Sequence, residues 1–326
     1  VTKPRLPQRL NALRARLAEI EVPLPMRARS AASRIEVRHF AGAAMYQPHF
    51  DVPLRVAHIT DQHFGRVTSA AVQHAARDLV NASQADLVVI TGDFVAHGLG
   101  YLDQLGEVLS GLNAPVYGVL GNHDHWCGAG EVRRALGKAG VEVLDNAHTV
   151  VEVRGQRLQL VGLDDAYTGH ADQAKALRGL RADLPSLGLS HIAEEADALW
   201  AAGVPLVLSG HTHAGQVTLA RLHELTLGKV IGHRYIHGLY GCRKGERNGG
   251  AVYVGAGVGA AVMPLRLGER ARREVTIFEL GTAPGSLDEH HAEQEPGPGR
   301  PPSTRTRARR AAQVVKKRER RERNGG

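Results

Sequence analysis

The chain has 326 residues, 43% of them hydrophobic, enough for the core of one large domain or two small ones, and its two cysteines, Cys127 and Cys242, exclude a disulfide framework or a CxxC metal or redox signature. No run approaches the roughly eighteen apolar residues of a membrane-crossing helix, and no secretory signal is visible, although a start at Val1 rather than methionine leaves a removed leader open. The net charge of +8 is uneven: residues 300–326 carry eleven Lys or Arg against two Glu, residues 1–38 carry nine against three, and the stretch between is left at −7, which argues against a basic nucleic-acid groove and suits a site that collects cations.

In chain order, Leu6, Leu10, Leu13, Leu17 and Ile20 form one helical stripe with Arg9, Arg14 and Arg16 on other faces, until Pro23 and Pro25 end the pattern. A basic amphipathic helix of this kind can lie on an anionic membrane surface or dock on its own domain. From about Arg34 to Leu280 strands and helices alternate. LRVAHIT, DLVVIT, PVYGVL, SLGLS and VPLVLS are short apolar runs typical of strands buried on both faces. Val72, Ala75, Ala76, Leu79 and Val80 share a helix face, with Thr68 or Ser69 as its cap. A second helix is predicted over Glu131–Ala139, with Val132, Ala135 and Leu136 inward and Gly140 at its end. TVVEVRGQRLQLVGL reads as a hairpin turning at Arg154 to Gln156, and AVYVGAG and REVTIFEL as late strands. The sum is an α/β body of two sheets with helices outside. After Gly281 the chain is rich in Pro, Gly and charge, so residues 283–326 are expected to be a disordered basic tail. The expected organisation is therefore 1–33 as a basic amphipathic segment, 34–282 as the catalytic domain, and 283–326 as the tail.

The informative feature lies at the carboxyl end of each apolar run. The runs lead into Asp61-Gln62-His63, Gly92-Asp93, Gly121-Asn122-His123-Asp124, His191, and His211-Thr212-His213. Five runs thus end in oxygen or nitrogen donors at the ends of strands where open α/β sheets place their sites. Residues two apart on a strand face one side, so Asp61 and His63 can converge if extended geometry persists, and so can His211 and His213. Each piece alone is weak: a buried histidine more often satisfies the core, and His58, inside a strand, is read that way. Together the buried carboxylates and imidazoles would cost several kcal/mol unpaired. Carboxylate, imidazole and amide oxygen together suit one or two divalent transition metals rather than calcium.

With all five motifs in this order, the chain resembles the calcineurin-like metallophosphoesterases from about Leu54 to Leu280. The resemblance implies a four-layer αββα sandwich with a dinuclear site at the sheet edge, holding two divalent metal ions such as manganese, iron or zinc. By position, Asp61, His63 and His213 would bind one ion, Asp93 would bridge, and Asn122, His191 and His211 would complete the second. His123 falls where the family contacts the phosphate and assists the leaving group. His211 and His213 would then serve different metals, with Gly210 and Gly215 letting the backbone turn around them. The implied mechanism is attack on phosphorus by hydroxide from metal-activated water, without a covalent enzyme intermediate. Three departures stand out. Gln62 replaces a residue that is often apolar. GDFVAHG lacks the second aspartate of protein Ser/Thr phosphatases. The motif reads GNHD, with His123 after Asn122, whereas soluble lipid A-pathway hydrolases carry arginine after the asparagine; Asp124 either orients His123 or caps the next helix.

GHTHAGQV, YIHGLYG and VYVGAGVGAAVMPLRLG are similar to a bacterial branch of membrane-associated phosphodiesterases that includes a UDP-2,3-diacylglucosamine pyrophosphatase. Gly238, Gly241, Gly255, Gly257 and Gly259 would shape loops beside the metals. The resemblance implies a phosphodiester or pyrophosphate hydrolase with a lipid-linked or small phosphoester substrate. It would be cytoplasmic, in peripheral contact with an anionic membrane and without a specific nucleic-acid partner. A soluble nucleotide phosphodiesterase or nuclease, and a non-catalytic scaffold of the same fold, are the rival readings.

Overall fold

Among the described residues, short apolar runs become the strands of two six-stranded sheets. The structure, a computed structural model, describes residues 35–215, 232–245, 249–260, 266, 268–290, 292–297 and 299. The expected amphipathic segment, residues 1–33, and the basic cluster beyond 299 lie outside the described residues. The first sheet runs in the order β1 (Ile35–Ala41), β12 (Arg273–Leu280), β2 (Leu54–Ile59), β3 (Leu87–Thr91), β4 (Val116–Val119), β5 (Val141–Val143). The second runs β10 (Gly238–Gly241), β11 (Ala251–Val254), β9 (Leu206–Ser209), β8 (Ser186–Ser190), β7 (Gln156–Leu163), β6 (Ala147–Val153). Strands β2 to β5 are parallel, as are β11, β9, β8 and β7, so each sheet has a parallel centre.

Alternation along each strand divides the core into layers. Leu54 and Val56, Leu87 and Val89, and Phe278 and Leu280 face the second sheet, meeting Leu158, Leu160, Leu187, Leu189, Leu206, Leu208 and Tyr253. The intervening Ala57, Ile59, Val88, Ile90, Val275 and Ile277 face outward. They are covered by α1 (Ala70–Ala82), α2 (Leu102–Ser110) and α3 (Asn122–Lys138). On the far side Val161, Val207, Val252 and Val254 pack under α4 (Gln173–Leu177) and α5 (Ala196–Ala201). This is the expected αββα sandwich. Central strands buried on both faces explain why their sequences read as unbroken apolar runs. Truncating Leu208, which has no exposure, would cost about 2–5 kcal/mol.

The hairpin forms as expected, with Arg154 and Gly155 both at positive φ in a two-residue turn between β6 and β7. Ser69 takes the N-cap position of α1 without a side-chain cap bond, while the Thr68 hydroxyl receives the backbone N–H of Ala260 at 3.0 Å. Two expectations need correction. Helix α3 begins at Asn122, not Glu131, in two segments joined at Gly128 (φ 133°), because its first turns lack apolar periodicity. The stretch from residue 283 onward is not wholly outside the fold. Glu289 and Glu293 pair with the buried Arg243 guanidinium at 2.6 and 2.8 Å. Gln294 exchanges backbone hydrogen bonds with Leu239 and Gly241 of β10. Charge pairing and one strand edge hold this segment, so its composition reads as unstructured. Among the described residues no helix is long and apolar enough to cross a membrane.

Candidate metal centre

The parallel strands β2, β3 and β4 of one sheet and β8 and β9 of the other end at one shared edge, and the expected ligands come within three or four residues of each end. There the backbone leaves extended geometry. Asp61 (φ 49°), His63 (47°), Asp93 (56°), His211 (77°) and His213 (50°) all lie in the left-handed region. Side chains other than glycine rarely adopt it, and each instance costs on the order of 1–3 kcal/mol. The expectation that strand alternation brings Asp61 to His63 and His211 to His213 is therefore not met. Tight left-handed turns aim these side chains instead. Protein hydrogen bonds fix the turns: Asp61 N–H donates to Gly92 O and His63 N–H to Asp93 O, both at 3.0 Å.

Asp93 is the hub. Its Oδ1 accepts the His123 backbone N–H at 2.9 Å, while its Oδ2 stands 3.6 Å from His63 Nε2 and 3.4 Å from His191 Nε2. The carboxylate therefore reaches imidazoles from both sheets. Asp61 Oδ1 lies 3.4 Å from His213 Nε2 and 3.9 Å from His63 Nε2, and the two Nε2 atoms are 2.9 Å apart. Asn122 Oδ1 lies 3.2 Å from His191 Nε2. Asp61/His63/His213, His63/Asp93/His123 and Asp61/Asp93/His191 form overlapping triads whose ligand atoms lie within 4.8 Å of one another. His211 stands at the margin. Its ring is edge-on to His191 at 5.1 Å, and its backbone N–H donates to the Asp61 carboxylate at 3.0 Å.

Carbonyl groups set the tautomers, since a carbonyl can only accept. His191 Nδ1 donates to Thr91 O at 2.7 Å, leaving Nε2 for the cluster. His123 Nδ1 donates to Ala96 O at 2.5 Å, leaving its Nε2 for the opposite side of the ring. The hydrogen bonds of the Asp124 carboxylate go to backbone rather than to the His123 ring. The carboxylate accepts from Gly121 N–H at 2.9 Å and Val95 N–H at 3.1 Å, so it caps α3 and ties it to the Asp93 loop. Gln62 is buried outside the triads, with its carbonyl held by Gln73. His58 bonds Thr91 within the core, as its strand position suggests. Glycines sit where carboxylates press on backbone: a Cβ at Gly210 would strike the Asp61 carboxylate, and one at Gly121 the Asp93 carboxylate. Gly257 packs on the Asp61 side chain and the Thr60 carbonyl, and Gly259 on the backbone of Asp61 and Gln62, whereas Gly241 packs on Gly250, at the edge pair β10–β11.

Electrostatics test whether this set fits a cation. Burial pushes the Asp61 carboxyl up to about 6, against the pull of His191. Burial also acts to raise Asp93, yet His191, His63 and His123 hold it well below the ordinary carboxylate range. Despite burial, Asp93 and Asp61 hold His191 up to about 10, while burial pushes His63 down to about 4 and His211 and His213 well below the usual imidazole value. Two buried carboxylates thus draw positive charge to the cluster, most strongly at His191, while burial keeps His63, His211 and His213 from supplying it. The mixture of carboxylate, neutral imidazole and amide oxygen fits divalent transition metals in that role.

Sequence reading missed several groups here. Arg266 donates to the Ala256 and Ala271 carbonyls and approaches His213 Nδ1 at 3.4 Å. His125 Nε2 bonds Asp164 at 2.6 Å. Trp126 and Tyr167 flank His123 and His211. None comes directly after an apolar run at a strand end, so the signal that found the ligands passes over them.

Two sheets that deliver carboxylates and imidazoles to a common edge are the design of a metal-dependent phosphoester hydrolase, and that is the class of this protein. More particularly, the chain belongs to the calcineurin-like phosphoesterase family, which matches residues 54–215, the stretch holding every candidate ligand and His123. It is 31% identical over 234 residues to phosphodiesterase YaeI of Escherichia coli, covering 70% of this chain and 82% of that protein. It is 32% identical over 208 residues to the uncharacterized metallophosphoesterase YkuE of Bacillus subtilis, covering 62% and 70%. It is also 32% identical over 246 residues to a zebrafish transmembrane protein with a metallophosphoesterase domain, covering 71% of this chain and 54% of that protein.

Proposed function

We propose that this chain hydrolyses a phosphodiester or pyrophosphate bond in a lipid-linked substrate, of the UDP-2,3-diacylglucosamine type, at a membrane surface. Asp93 carries the reading: one carboxylate oxygen faces imidazoles from both sheets at 3.4 and 3.6 Å, the placement of a shared ligand. Asp61, His63 and His213 would hold one ion with Asp93, and Asn122, His191 and His211 the other. Bound divalent ions supply positive charge to phosphoryl oxygens and lower the pKa of water. His123, anchored through Nδ1 on Ala96 O, turns Nε2 the other way, and as an imidazolium it would give the departing oxygen the Nε2 proton and keep the one on Nδ1. Asp124 holds the backbone of Gly121, immediately before Asn122 and His123, so both side chains keep their aim.

The lipid part of the proposal draws on the basic apolar stripe of residues 1–33 and on two relatives, one named a phosphodiesterase and one a transmembrane protein. The test uses purified protein with manganese, iron or zinc and bis-p-nitrophenyl phosphate. Turnover is expected; a folded sample that turns over nothing with any of the three metals defeats the hydrolase reading. Faster turnover of a lipid-linked pyrophosphate than of a free dinucleotide is expected too, and the reverse order favours a nucleotide phosphodiesterase.

A further inference from the structure

Among the described residues two large aromatic side chains are strongly exposed, Trp126 at 61% and Tyr167 at 47%; the other exposed large hydrophobics, Met45, Val52 and Val150, are aliphatic. Both aromatics sit at the mouth of the metal centre. Trp126 lies 5.0 Å, centroid to centroid, from His123, and Tyr167 lies 5.3 Å from His211. The two rings meet 6.0 Å apart at 78°. His97 beyond His123 (5.3 Å) and His233 beyond His211 (5.5 Å) extend the chain of rings at either end. A continuous arc therefore runs from the proposed proton donor to the proposed second-ion ligand. Core packing does not require exposed indole and phenol rings there, and such rings offer large flat apolar faces.

We infer that Trp126 and Tyr167 are the specificity-determining wall of this centre, and that they take a planar aromatic ring, such as a nucleobase, on the organic part of the phosphoester. The inference rests on the hydrolase reading and names the substrate class within it. Two rings at nearly a right angle make a corner, in which a flat ring stacks on one and turns its edge to the other. Among the described residues this apolar surface is two rings wide and bounded by imidazoles. That width suits one planar group with polar edges, whereas an acyl chain needs a longer apolar trough.

The test compares three phosphodiesters that share a p-nitrophenyl leaving group and differ in the retained group: a nucleoside, methyl or dodecyl. With manganese, kcat/KM for the nucleoside ester should exceed that for the methyl ester by roughly tenfold, the scale of one base–aromatic stack. Trp126→Ala should bring the ratio to within about twofold of unity, and Trp126→Phe should restore most of it. Binding is read separately from tryptophan fluorescence. Adenosine monophosphate should quench wild-type emission and not that of Trp126→Phe, whose remaining indole, Trp200, is half-buried and bonded to Ala251 O. An unchanged ratio in Trp126→Ala overturns the inference. So does a dodecyl ester that is the best substrate and loses most on that substitution. If wild type turns over none of the three with manganese, iron or zinc, the hydrolase reading falls, and the quench alone decides whether the corner binds a ring.

Discussion

Asp93 serves three masters at once: a helix N-terminus through Oδ1 and two imidazoles through Oδ2. Asp93→Ala should therefore abolish both metal binding, measured by calorimetry or metal analysis, and turnover. His123→Ala should keep metal and lose about 10²–10⁴ in rate, the usual range for a positioned acid. Equal metal loss in the two variants would show the roles to be wrongly divided. Gly210 offers a subtler test. Its Cβ would enter the space of the Thr60 hydroxyl and the Asp61 carboxylate, so Gly210→Ala should weaken metal binding and cost about 1–3 kcal/mol in denaturant unfolding. The identities of the candidate ligands were legible in the sequence, because each comes just after a recognisable apolar run. Their conformation was not. A left-handed aspartate or histidine leaves no mark in composition, and only the structure shows that turns rather than strand alternation aim Asp61 and His63.

Among the elements, legibility tracked apolar periodicity. The runs of β2, β3, β4, β8 and β9 lie where expected because burial on both faces makes each a compact apolar word. The first turns of α3 spell NHDHWCG, where polar side chains displace the helical stripe, so the apolar pattern begins only at Glu131, nine residues after the helix does. The segment after β12 escaped for a related reason. Its anchors are Glu289 and Glu293 on Arg243, which is only 4% exposed. A chain ending at residue 282 would strand that guanidinium without its carboxylates. We expect it to be less stable than one ending at 299 by about 3–5 kcal/mol, the cost of breaking a buried pair. Equal urea midpoints would show that water replaces the carboxylates. The same segment lies along β10, an edge strand that would otherwise present its backbone to solvent.

At the scale of the molecule, the two sheets are joined by polar groups as well as by the shared apolar core. Glu274 on β12 accepts from Arg38 of β1 at 2.8 Å, from Tyr253 of β11 at 2.9 Å, and from the Ala256 backbone at 2.8 Å, with His237 at 3.1 Å. Burial acts to raise its pKa, but His237 and Arg38 hold it below the ordinary glutamate value. A depressed carboxylate contributes stability above its unfolded pKa and loses it as pH falls toward the folded one. Glu274→Gln should therefore lower Tm across neutral pH, and its gap from wild type should narrow below about pH 4.3. A gap independent of pH down to about 3 would assign the effect to packing. The loop after β11 then stitches both sheets to the centre: Gly259 N–H donates to Asp61 O at 2.7 Å, and Gly255 N–H to Ser209 O at 2.9 Å. The left-handed bends at the candidate ligands are thus tied down by main-chain hydrogen bonds of the protein itself. Zinc fingers fold only around their metal; bends held by backbone hydrogen bonds draw that part of their shape from the chain itself.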